Sequence, residues 1–103
     1  MTERRFFLRG EIDIAAAPQL RADLDDAVAP DGADLLVDCS ELTFIDSSGL
    51  SVLLTVLREL EASGHGLRIA HVRDAIARVI QVAGLTDTFR VNEDSFSSRE
   101  ATG

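Results

Sequence analysis

Residues 35–60 read Leu-Leu-Val-Asp-Cys-Ser-Glu-Leu-Thr-Phe-Ile-Asp-Ser-Ser-Gly-Leu-Ser-Val-Leu-Leu-Thr-Val-Leu-Arg-Glu-Leu. Residues 33–39 form a short, almost continuous apolar run, the pattern of a central strand covered on both faces. From Ser48 to about Ser63, Leu50, Leu53, Leu54, Leu57 and Leu60 recur at helical spacing, and Val52 and Val56 widen the stripe. Between strand and helix stands Phe44-Ile45-Asp46-Ser47-Ser48-Gly49-Leu50, which gathers an acid, two hydroxyls and a glycine where the helix opens. A helix N-terminus presents unpaired N–H groups and a partial positive charge, so it tolerates a negative group. Asp or Ser before an apolar helix also meets the ordinary need for a cap. The pattern supports a cap or a modified serine, and the two are compatible because one residue suffices as cap. It does not say whether Ser47 or Ser48 faces solvent.

Working outward, residues 4–12 read as a strand in which Phe6 and Leu8 alternate with Phe7 and Arg9. Gly10 interrupts it, as a bulge or a close backbone approach would require. A helix is expected over residues 18–28, with Pro18 in its first turn and Leu20, Leu24, Ala27 and Val28 on its buried stripe. Pro30-Asp31-Gly32 is a turn. Gly64 and Gly66 end the long helix, and residues 67–72 form a third strand. A third helix over residues 73–83, packed through Ile76, Val79, Ile80 and Ala83, stops at Gly84. Residues 88–91 are expected to add a short fourth strand. The polar, Ser-rich tail over residues 93–103 is set apart from a domain spanning residues 1–92, as a short helix running into disorder. The order β-α-β-α-β-α-β defines a single α/β domain: a mostly parallel or mixed sheet of about four strands, packed by three to four helices.

The 103 residues suffice for one compact domain. Hydrophobic residues make up 46%, but aromatics only 5%, with no Trp or Tyr, so the core is aliphatic. Ten basic residues, every one Arg, face 18 acidic ones, for a formal charge of −8. That balance argues against nucleic acid or an anionic membrane as partner, because both need a basic face. It suits a basic protein partner, and solubility explains it equally well. No stretch reaches the ~18 apolar residues of a membrane span, and the N-terminus lacks an apolar run of signal-peptide length. The lone Cys39 excludes an internal disulfide and fits a reducing cytoplasm.

No catalytic constellation emerges, and no enzyme activity is expected. His65 and His71 have no Cys or second His at metal-ligand spacing, so no metal site is predicted. Cys39 reads as a small core hydrophobe. Gly64-His65-Gly66 lacks the phosphate-loop Gly-Lys-Ser/Thr pattern, and a chain without Lys has neither a Schiff base nor a phosphate-loop lysine. No cofactor is implied. A second polar cluster, Gly10-Glu11-Ile12-Asp13, lies at a strand end and reads equally as a solvated turn. In a parallel sheet, strand C-termini gather at one edge, so Asp13 and Ser47 come close together if their strands are parallel neighbours.

Four segments, taken in order, resemble the STAS family, and within it the bacterial anti-sigma factor antagonists. Gly10-Glu11-Ile12-Asp13 is similar to the family's Gly-Glu-Leu/Ile-Asp, and Leu35-Leu36-Val37-Asp38-Cys39-Ser40 to its central strand. Phe44-Ile45-Asp46-Ser47-Ser48-Gly49-Leu50 resembles its phosphorylation loop, and Ala83-Gly84-Leu85-Thr86-Asp87-Thr88-Phe89 its Ser-Gly-Leu-x-x-x-Phe segment. The resemblance covers roughly residues 8–91. It implies that Ser47, immediately after Asp46, is the phosphoacceptor. It also implies that Gly10, Glu11, Asp13, Asp46, Ser47, Ser48, Gly49 and Leu50 form the partner-binding surface. In the implied cycle, the unphosphorylated protein binds an anti-sigma factor that is also a serine kinase of the GHKL type, and a sigma factor is freed. The kinase uses ATP and Mg to phosphorylate the antagonist, which dissociates, and a PP2C-type phosphatase resets it.

The resemblance also implies a further strand ahead of Gly10. Only nine residues precede that glycine, so this strand is expected to be shortened or missing, or the natural start lies upstream. The strand over residues 4–8 then becomes an exposed edge open to a homodimer. Two alternatives remain: an accessory STAS subunit of an ABC-type lipid transporter, and an assembly domain whose serine is never modified. Such transporter relatives often carry Thr or Ala where this chain has Ser47-Ser48.

Overall fold

A computed structural model describes residues 3–28 and 32–92. Its elements are β1 (Glu3–Ile12), α1 (Ala17–Ala27), β2 (Asp34–Ile45), α2 (Ser47–Ala62), β3 (Leu67–Ala70) and α3 (Asp74–Val82). The strands form a three-stranded sheet in the order β1-β2-β3, parallel at both pairings. Both crossovers step the same way along the sheet, and right-handed connections therefore lay α1 and α2 on one face. Arg21 on α1 ties the two helices together, its guanidinium donating to both carboxylate oxygens of Glu59 on α2 at 2.9 Å.

The buried face is aliphatic, as composition demands. Leu8 and Ile12 of β1, Leu35, Val37 and Cys39 of β2, and Leu67 and Ile69 of β3 meet Leu20 and Leu24 of α1 and the Leu53, Val56, Leu57 and Leu60 stripe of α2. Ile76 and Ile80 of α3 join the same cluster; Val79, expected to pack inward, is exposed instead. Burial pushes the Cys39 thiol up to about 12, and Asp38 beside it adds to the shift, so Cys39 sits in the core as an inert thiol.

β2 runs six residues further than the apolar run suggested, to Ile45. Twelve residues of β2 face ten of β1, and the difference is absorbed by register shifts between Phe7 and Arg9 and between Gly10 and Glu11. Each shift is a bulge that turns the following side chains over. The inward positions therefore run Leu35, Val37, Cys39, Leu42 and Ile45, and strict alternation over 40–45 would not have found them. Gly10 belongs to this irregularity: its φ is +74°, and an added Cβ would meet nothing within 4 Å, so conformation, not close approach, calls for glycine.

The fourth strand is absent among the described residues. Residues 86–92 form successive turns, with Arg90 at φ +48° and Asn92 at φ +59°, which interrupts an extended backbone. The segment still covers the outer side of β3: Ile69 N–H donates to the Phe89 carbonyl at 3.0 Å, and Asn92 N–H donates to the Ile69 carbonyl at 2.8 Å. Phe89 itself is fully buried. The expected tail over residues 93–103 and most of the Pro30-Asp31-Gly32 turn lie outside the described residues. Among the described residues, no helix is long and apolar enough to cross a membrane.

Candidate functional site

The parallel pairing of β1 and β2 brings the two polar motifs to one end of the sheet. Glu11 stands opposite Phe44 and Ile12 opposite Ile45, and Asp46 N–H donates to the Ile12 carbonyl at 3.2 Å. The β1–α1 turn and the start of α2 are therefore neighbours. Asp13 organises the first: its Oδ1 accepts from Ala16 N–H at 3.0 Å, and its carbonyl accepts from Ala16 and Ala17 N–H. Asp46 organises the second as the N-cap of α2, with Oδ1 accepting from Ser48 N–H at 2.9 Å and Gly49 N–H at 3.4 Å.

This geometry separates the roles that the sequence left open. Asp46 caps the helix, and Ser48, whose N–H it holds, is half-buried. Ser47 is exposed, and among the described residues its hydroxyl makes no hydrogen bond. A group attached there meets water and the positive end of a 16-residue helix without displacing the cap.

Gly49 and Leu50 differ from the expected partner-binding surface, because both are buried and offer a partner nothing to touch. Gly49 is needed for close packing: a Cβ there would lie 2.7 Å from Ile12 Cγ2 and 2.7 Å from Ile45 Cγ1. The glycine lets the first turn of α2 rest directly on the ends of β1 and β2, which places Ser47 beside the β1–α1 turn. Gly10 is exposed but shapes β1 from within the strand, two positions before Ile12. Glu11, Asp13, Asp46, Ser47 and the half-buried Ser48 are the remaining polar residues of the expected surface.

Two apolar residues join them. Ile14, just past Asp13, is 76% exposed, and Phe44, just before the loop, is 45% exposed. Neither was named as a partner-binding residue from the sequence, where Phe44 opens the stretch between strand and helix and Ile14 carries no assignment. The signal for Phe44 is the second bulge, which turns it outward while Ile45 turns in. This end of the sheet thus presents an exposed hydroxyl, two solvent-facing apolar side chains and three carboxylates. Among the described residues no His, Cys, Asp and Glu are grouped to hold a metal ion.

The family model described as "Mlab, STAS domain" matches residues 4–91. The anti-sigma-B factor antagonist of Bacillus subtilis (strain 168) is 30% identical over 88 residues, covering 85% of this chain and 80% of the relative. The anti-sigma factor antagonist SpoIIAA in its unphosphorylated form superposes with a TM-score of 0.70 at 27% identity, over 98% of this chain and 89% of that one. The phosphorylated form of the Bacillus cell fate determinant SpoIIAA gives 0.63 at 25% identity, over 97% and 89%. A three-layer match of motif, fold and relatives over nearly the whole described chain leads to one conclusion: this chain belongs to the STAS domain family.

Proposed function

We propose that this protein is a cytoplasmic anti-sigma factor antagonist that works by binding, not by catalysis. Unphosphorylated, it docks on an anti-sigma factor that is also a GHKL-type serine kinase, and the sigma factor is released. Phosphorylation of Ser47 ends the docking, and a PP2C-type phosphatase restores it. The observation that carries this reading is the exposed, unbonded Ser47 hydroxyl beside an Asp46 that already supplies the cap. The names of the relatives support the antagonist role, and SpoIIAA exists in phosphorylated and unphosphorylated forms.

The switch follows from electrostatics and desolvation. A phosphate brings about −1.5 to −2 charges. At the N-terminus of α2 the protein's own fold tolerates them. Against a partner the same charge lands at the end of the sheet that exposes Ile14 and Phe44, where an apolar contact would have to desolvate it, and where Asp13 and Asp46 also lie. Docking changes while the fold stays.

The test is mass spectrometry of the protein after incubation with the host's candidate anti-sigma kinases, ATP and Mg, with Ser47→Ala as control, followed by binding of both forms to the same kinase. The expected result is one phosphate on the wild type, none on Ser47→Ala, and weaker binding of the phosphorylated form. A folded wild type that no kinase phosphorylates, or a phosphorylated form that binds as tightly as the free one, overturns the switch. Absence of phosphorylation moves the reading to the transporter subunit or the unmodified assembly domain.

A further inference from the structure

Residues 14–18 read Ile-Ala-Ala-Ala-Pro and carry no polar side chain, although they join β1 to α1 at the surface. Turns ordinarily take Gly, Asn, Asp or Ser. Here Ile14, Ala15 and Pro18 are exposed, Ile14 at 76%. Helix stability does not account for the choice. Ala16 stands at the N-cap of α1, makes no side-chain cap bond, and is among the poorest residues for that position. The turn is nevertheless held in place: Asp13 Oδ1 accepts from Ala16 N–H at 3.0 Å, and the Asp13 carbonyl accepts from Ala16 and Ala17 N–H at 3.1 and 3.0 Å. One exposed apolar side chain is ordinary on a protein surface. These are consecutive, fixed by backbone bonds, and tied to the start of α2 by the Asp46 N–H bond to the Ile12 carbonyl. The other large exposed apolar side chains differ in setting. Phe7 lies under the Arg5 and Arg9 guanidiniums at 5.9 and 5.7 Å, and Val79 and Val82 stand on α3.

We infer that the β1–α1 turn is the apolar anchor by which this protein docks on its anti-sigma factor, with Ile14 as the side chain that the partner buries. The inference rests on the antagonist reading above and deepens it. A turn that is already formed gives up little conformational entropy on binding, so the burial of Ile14, Ala15 and Pro18 is retained as affinity. Charge decides what faces it. Residues 10–20 and 44–57 contain no Arg, Lys or His, while Glu11, Asp13 and Asp46 stand at this end of the sheet. A partner surface of the same sign is repelled, and the surface that fits is an apolar pocket ringed by Arg or Lys. Phe44, opposite Glu11 in the β1–β2 register and 45% exposed, adds a second apolar side chain at the same end. The two functions are then divided between two segments. Ser47 receives the phosphate, and Ile14 sets how tightly the kinase holds its substrate.

Phosphorylation kinetics of the full chain with the host's candidate anti-sigma kinases, ATP and Mg test it, with thermal melts checking that each variant folds. The expected result is one phosphate on the wild type and, for Ile14→Ser, a KM raised about tenfold or more with the loss falling on KM and not on kcat. Ile14→Leu keeps most of the wild-type KM. Val82→Ser, which removes a side chain 82% exposed on α3, matches the wild type throughout. Added salt raises KM for the wild type and for Ile14→Ser by the same factor, because screening acts on the charged rim and not on the apolar contact. Three results overturn the anchor while the Ser47 switch stands: Ile14→Ser as good a substrate as the wild type, a loss in kcat alone, or a wild-type KM that ignores salt. A wild type that no kinase phosphorylates overturns the antagonist reading, and the anchor with it.

Discussion

Replacing Gly49 by alanine isolates the contact that sets the position of Ser47. In an exposed helix interior the change would stabilise, by about 1 kcal/mol from helix propensity. Here the new Cβ falls 2.7 Å from Ile12 Cγ2, 2.7 Å from Ile45 Cγ1 and 3.0 Å from Ile45 Cδ1. Two of these atoms are bonded directly to the Cβ of their own residues, and both residues are buried on strand ends, so they yield only by moving the strands or the helix. Overpacking of that kind costs roughly 1–3 kcal/mol. In the first turn the propensity gain is at most partial, so the net effect is a loss of about 1–2 kcal/mol. With an m-value of roughly 1–1.5 kcal/mol/M for a domain of this size, the urea midpoint falls by about 1 M. Equilibrium urea unfolding followed by circular dichroism measures it directly. A midpoint equal to or above that of the wild type would refute the reasoning, since propensity would then be the only force acting at residue 49.

Asp46→Ala removes the acceptor for the Ser48 and Gly49 N–H groups and is expected to cost about 1 kcal/mol, read as a shifted urea midpoint, while Asp46→Asn, also a good cap, is nearly neutral. Stability also depends on Asp38. Its burial raises its pKa, but hydrogen bonds from Ser40, then the His71 and Arg5 charges, outweigh that and leave it below the ordinary 3.8. A depressed carboxylate contributes stability that is present above about pH 4 and is lost as pH falls through the native value. Unfolding midpoints measured from pH 6 down to pH 2 should therefore fall less steeply for Asp38→Asn than for the wild type. Parallel curves would remove Asp38 from the acid response.

The legibility of this chain follows the range of the forces involved. The helices over residues 47–62 and 74–82 are written in a local period, and the 33–39 strand in a local run, so pattern alone finds them. The Asp-Ser-Ser-Gly stretch is legible as a helix start because capping chemistry is local too. β2 beyond Cys39 was not legible: two bulges set its inward positions three apart, and bulges answer to a partner strand that no local pattern contains. The missing fourth strand is a related case, since residues 86–92 keep a strand's hydrogen bonds to Ile69 while Arg90 and Asn92 adopt left-handed backbone.

The amino-acid pattern alone is enough for the α/β class, the aliphatic core, the order of the three helices and the first three strands, and the motif that ends in Ser47. These depend on residue type and spacing within one segment. The tertiary arrangement alone makes Ser47 exposed while Ser48 is half-buried and Gly49 buried, turns Ile14 and Phe44 to solvent at the same end of the sheet, and, among the described residues, pairs β1 with β2 alone. Each of those depends on where a second segment lies. Parallel pairing joins Ile12 to Ile45 across 33 positions of sequence, and a glycine without a Cβ lets α2 close onto both.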